Sequence, residues 1–155
     1  MKKVLTFLAF LILLFSMASC MYLETGIDPE IKPFIDDFYK EAHKRGINPG
    51  SVVTAQFAEM KSQGRSVKAS RAIYINQDSE GWKSNPEALV FHELAHLLLD
   101  RDHDNTRIGK FYKTIMANDG DPLYHRYEGE HFHYRREYYV NELFNPQTEP
   151  AEWMR

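Results

Sequence analysis

Residues Ala88 to Asp104 read A-L-V-F-H-E-L-A-H-L-L-L-D-R-D-H-D, and inside them His92-Glu93-Leu94-Ala95-His96 forms an H-E-x-x-H. On a helix, residues four apart lie about 40° apart around the axis and about 6 Å apart along it. His92 and His96 would then present two imidazoles on one face, which suits two positions of a tetrahedral Zn²⁺ site. Glu93 falls about 100° further round, near enough to reach a water at the metal without filling a ligand position. Leu89, Val90, Phe91, Leu94, Ala95, Leu97, Leu98 and Leu99 make the segment apolar nearly all round. Such a helix is buried rather than amphipathic. Buried imidazoles and a carboxylate need partners, and a metal supplies them.

Just upstream, Ser84-Asn85-Pro86-Glu87 has the signals of a helix start. Asn85 serves as N-cap, Pro86 takes the first position, and Glu87 meets the positive end of the dipole. The expected helix spans 86–99. A catalytic zinc takes three protein ligands and leaves one position open. His103, seven residues after His96 and beyond a helix end at Asp100–Asp102, is the preferred third ligand.

The stretch resembles the metzincin metallopeptidases, whose pattern is H-E-x-x-H-x-x-G-x-x-H followed by a Met-turn. His92, Glu93 and His96 match in spacing; Leu99 stands where the family's Gly would be, Asp102 where its third ligand would be, and His103 is one residue late. Asp102 is therefore the alternative third ligand. Ile115-Met116 resembles the Met-turn and would place Met116 beneath the metal. The resemblance, spanning Arg71 to Met116, implies a small α+β zincin fold with the H-E-x-x-H helix packed on a short mixed sheet. It implies a zinc metalloendopeptidase: Zn²⁺ on His92, His96 and His103, with Glu93 as general base for hydrolysis of a peptide or protein substrate. It also implies that the strand before the active helix edges the cleft, here Arg71 to Asn76, with an internal strand as the equal alternative. In several metzincins a Tyr past the Met-turn lies near the metal, a role Tyr124 could take. Two other readings remain open. A gluzincin-like site would use a Glu on a later helix, Glu137 or Glu142. A non-catalytic lipoprotein would bind zinc or a partner through the same residues, although a structural site needs no base such as Glu93 and is usually closed by four ligands.

Residues 1–19 read as a signal peptide. Lys2 and Lys3 precede the apolar run Val4 to Phe15, which is too short to span a bilayer comfortably. Met17-Ala18-Ser19-Cys20 resembles the bacterial lipobox, and Cys20 is the only cysteine, so no intramolecular disulfide competes for it. Residues 20–27 are then a lipidated Cys and tether, and residues 28–155 one zinc metallopeptidase domain. The expected location is a membrane, as an exported bacterial lipoprotein. The formal net charge of −3 argues against a nucleic-acid partner.

Asp28-Pro29 should open a helix whose apolar face is Ile31, Phe34, Ile35, Phe38 and Ala42, stopped at Gly46. His43 reads as solvated near that helix's end. Ser51 to Ala58 and Ala69 to Asn76 read as strands, with Gln63 to Ser66 a turn between them and Gln77 to Lys83 a polar loop. Asp104 is a candidate orienter of His103, with a solvated loop Asp as the preferred reading, and His125, His131 and His133 are a candidate second metal site, with surface histidines preferred. Arg135 to Phe144 should form a closing helix ended by Asn145-Pro146. The last residues read as a loose tail with Trp153 as its one anchor.

Replacing Cys20 with Ala should release the protein from the membrane fraction. Unchanged membrane association of the variant would refute the lipid anchor.

Overall fold

The computed structural model describes residues 26–118 and 132–155. Residues 1–25, with Cys20, lie outside it, as do 119–131, with Tyr124, His125 and His131, and the side chain of His133. The described residues form a small α+β domain: α1 (Lys32–Lys44), β1 (Thr54–Phe57), β2 (Gly64–Val67), β3 (Ala72–Ile75), α2 (Glu80–Ser84), α3 (Pro86–Leu98), β4 (Arg107–Ile108), β5 (Phe111–Tyr112) and α4 (Phe132–Phe144). None of the helices described is long and apolar enough to cross a membrane.

The first helix begins later than Asp28-Pro29 suggests. The Asp28 carboxylate and carbonyl accept the Glu30, Ile31 and Lys32 N–H groups, so Asp28 to Ile31 make a turn. The helix starts at Lys32, with Pro33 in its first turn. Ile31, Ile35, Phe38 and Ala42 form its buried face as the periodicity predicts, and Gly46 at φ 70° ends it. His43 is exposed.

β1 and β3 pair in parallel, β3 and β2 antiparallel, giving a mixed sheet in the order β1-β3-β2. Two expectations fall here. Gly64 to Ser66 belong to a strand, not a turn, and β3 is the central strand rather than the edge. Ala72, Ile73 and Ile75 are all fully buried, as a central strand requires. Lys68 to Ser70 form a 3-10 turn before β3, which trims that strand's expected N-terminal end. Gln77 to Lys83 is not wholly loop either: Ser79 accepts the Trp82 N–H and caps the short α2.

α3 lies against α1, α2, β2 and β3. Residues Ala88 to Ala95 are all buried. Phe38 of α1 meets Phe91 of α3 edge to face at 5.3 Å and Phe144 of α4 at 5.0 Å, so one ring joins three helices. The C-terminal segment is not loose. Trp153 stands edge to face on Phe111, Tyr138 and Tyr139, and Met154 is buried at the end of a 3-10 turn.

Two buried or half-buried ion networks bind the helices. Arg136 of α4 forks onto Glu87 of α3 at 2.5–3.0 Å and reaches Glu41 of α1 at 3.5 Å. Burial pushes the Glu41 carboxyl up, but bonds from Arg45 and Lys44 and the charge of Arg136 outweigh it and bring it down to about 2. A depressed carboxylate pKa contributes stability that is full above the unfolded value, near 4.5, and is lost as the pH falls through about 2. Glu41→Gln should therefore destabilise the protein at pH 7 by about 1–3 kcal/mol, the worth of a charge-assisted hydrogen bond. The difference from wild type should shrink towards pH 2. Denaturant titrations of both proteins across that range check it, and a pH-independent difference would contradict it.

Candidate metal centre

The helix that carries the site starts as its sequence indicates. The Asn85 side chain accepts the Ala88 N–H at 3.0 Å, and Pro86 opens α3. Large apolar side chains buried along it, Leu89, Val90, Phe91 and Leu94 among them, contribute about 1.5–3 kcal/mol each. Together they outweigh the several kcal/mol needed to take Glu93 and His92 out of water.

Two backbone carbonyls then fix the imidazoles. His92 Nδ1 donates to the Ile115 carbonyl at 2.8 Å, and His96 Nδ1 to the Arg101 carbonyl at 2.6 Å. A carbonyl can only accept, so both rings carry a proton on Nδ1, and in the neutral imidazole Nε2 is then the acceptor. Those two Nε2 atoms face each other at 3.0 Å. The Nε2 of His103 closes a triangle, 3.0 Å from His96 and 3.3 Å from His92. Two lone pairs at such a distance repel unless a cation lies between them. Burial lowers the pKa of His96, against the pull of its bond to Arg101, which disfavours a proton as that cation. A tetrahedral ion with bonds of about 2.0–2.1 Å sets its ligands about 3.3–3.4 Å apart. The triangle thus fits a metal ion with an opening of a few tenths of an ångström, and the three histidines can hold one.

His103 reaches the triangle because the helix end has moved. Asp100, not Leu99, takes the left-handed conformation at φ 54°, and the Arg101 N–H returns to the Ala95 carbonyl. Asp tolerates that region better than most residues. Turn and ligand are each displaced by one residue, so the ligand still follows the turn by three. Asp102 is exposed on the cleft wall and outside the triangle. Glu137 is exposed, and Glu142 is buried against Arg101, so neither supplies a ligand.

Glu93 is 5 % exposed, and burial pushes its carboxyl up to about 8. It fits only because position 64 is glycine. A Cβ there would stand 2.6 Å from Glu93 Oε1 and 2.8 Å from its Cγ. β2 therefore passes close over α3 and presses the carboxylate into the cleft. The cleft has two lobes, about 480 Å³ and about 490 Å³, that share Gly64, Glu93 and His103. Among the described residues, β2 pairs with no strand but β3, which makes it an edge strand beside the cleft.

Met116 is wholly buried, as an ordinary core methionine also is, and the carbonyl of its neighbour Ile115 is the His92 acceptor. Asp104 faces Thr106 instead of His103: its carboxylate accepts from the Thr106 side chain and N–H, which together lower its pKa. Asn118 stands there instead, its Nδ2 2.8 Å from His103 Nδ1. Metal ligation through Nε2 needs the proton on Nδ1. The Asn118 amide must then present its oxygen to the ring, giving up its longer 3.3 Å bond from Asn105. The Ile115 and Arg101 carbonyls leave no trace in a sequence. The role of Gly64 could have been suspected from a glycine between two apolar strands, a sign of close backbone approach.

No family model matches this chain, and no curated protein or solved structure is significantly similar to it.

Proposed function

We propose that the protein is a zinc-dependent peptidase of metzincin-like architecture, with His92, His96 and His103 as metal ligands and Glu93 as general base. The observation that carries this reading is the triangle of three imidazole Nε2 atoms, 3.0–3.3 Å apart, with a buried carboxylate lining the same cleft. Neutral imidazoles suit zinc among the biologically common divalent ions. Bound there, zinc would supply Lewis acidity for peptide hydrolysis.

The chain's own residues do the rest. The Ile115 and Arg101 carbonyls keep the Nδ1 protons in place, so the ligand nitrogens stay available. Glu93, in its carboxylate form, takes the proton from the attacking water and passes it to the leaving amine. As an edge strand, β2 offers backbone N–H and C=O groups along the cleft, and an extended peptide can pair with it as a further strand. Both lobes are lined by Glu93 and His103, so a substrate that spans them passes the general base. The lone Cys20 after an apolar leader supports export and lipid anchoring.

Glu93→Gln keeps the side chain's size and removes the proton acceptor without touching a ligand. Zinc content should stay near one equivalent, while hydrolysis of a broad peptide mixture falls by about 10²–10⁴-fold. Equal cleavage by both proteins would remove Glu93 as the base. No cleavage by the zinc-loaded wild type would favour a metal- or partner-binding lipoprotein.

A further inference from the structure

We infer that the buried ion pair between Arg101 and Glu142 is a positioning clamp for His96, through which the C-terminal helix α4 sets the geometry of the histidine triangle. The inference rests on the metal-site reading above. Arg101 faces two ways. Its guanidinium donates to Glu142 Oε1 at 2.8 Å and to the last carbonyls of α4, Glu142 O at 2.9 Å and Leu143 O at 2.7 Å. Its own carbonyl accepts from His96 Nδ1 at 2.6 Å.

Arg101 sits between the left-handed Asp100 and the ligand His103, in a turn whose Asp100, Asp102 and His103 are all exposed. Its backbone N–H bond to Ala95 is one tie, and the guanidinium fork is the other that reaches the core. Three bonds from a planar group fix both the place and the orientation of the residue that bears them. Rotating Arg101 would carry its carbonyl off His96, free the ring to turn over, and admit a proton on Nε2 where a metal needs a lone pair.

The energetics point the same way. Glu142 is wholly buried, and its Oε2 has no hydrogen-bond partner among the described residues. A buried ion pair seldom adds net stability over apolar residues of the same volume. One that leaves a carboxylate oxygen unsatisfied adds less still. What the pair does supply is a single position for the turn, and the turn's carbonyl is the one that orients a ligand.

The test uses Arg101→Lys, Glu142→Gln and, as a control, Glu41→Gln, which breaks an interhelical ion network that also ties α4 but whose residues do not line the cleft. Three quantities are measured: zinc affinity by chelator competition, the visible bands of the cobalt-loaded protein, and, without metal, the ¹⁵N signal of His96 Nδ1–H. Arg101→Lys should weaken zinc binding about 10–100-fold, shift the cobalt bands and abolish the single Nδ1–H tautomer. Glu142→Gln should do so less strongly, since the two carbonyl bonds to Arg101 survive. Glu41→Gln should leave all three at wild type despite its lower stability. If Arg101→Lys does not fold, Glu142→Gln carries the test. Folded variants with wild-type affinity, bands and tautomer would overturn the clamp, as would an equal response from Glu41→Gln. A wild type that binds neither ion would refute the metal-site reading itself, and the tautomer signal would still decide the clamp.

Discussion

A helix buried on every side must find partners for whatever polar atoms it carries. α3 buries every residue from Ala88 to Ala95, and among them are an imidazole and a carboxylate. For the imidazoles the fold meets that demand with backbone rather than with other side chains. Carbonyls from two separate segments, at Arg101 and Ile115, reach the Nδ1 atoms of His96 and His92. The consequence for the cleft is that their Nε2 atoms, the acceptors of the neutral rings, point at one another. An apolar site would have been cheaper to fold. The arrangement makes sense as a cation site prepared in advance, its ligands held by the same packing that builds the core.

The sheet is arranged around the same helix. β2 crosses α3 at Gly64, the one residue that lets backbone approach the Glu93 carboxylate so closely. That approach buries the carboxylate and raises its proton affinity. Because β3, not β2, occupies the middle of the sheet, the strand nearest the carboxylate is also an edge strand. Burial of the base and the placing of an edge strand beside it are thus one feature of the topology rather than two.

Much of this was legible in the sequence, and the gaps have physical causes. The H-E-x-x-H helix, its cap at Asn85 and the choice of His103 over Asp102 followed from spacing and ligand chemistry alone. The helical face of α1 followed from the recurrence of Ile31, Ile35, Phe38 and Ala42. The strand order did not, because Gln63-Gly64-Arg65-Ser66 has the composition of a turn and only pairing with β3 makes it a strand. The start of α1 was misplaced because Asp28-Pro29 and Lys32-Pro33 carry the same kind of signal three to four residues apart. The partner of His103 was not legible, because Asn118 is adjacent to it only in space. The Arg101–Glu142 pair joins residues 41 apart and has no local signature at all.

The central claim is that three imidazoles, and no carboxylate, hold a zinc ion at this cleft. Crystals grown with zinc and measured at its absorption edge test it directly. The anomalous peak should lie about 2.0–2.1 Å from Nε2 of His92, His96 and His103, the usual zinc–imidazole bond length. A peak bound by Asp102 in place of His103, or the absence of any peak among the three rings, would contradict it.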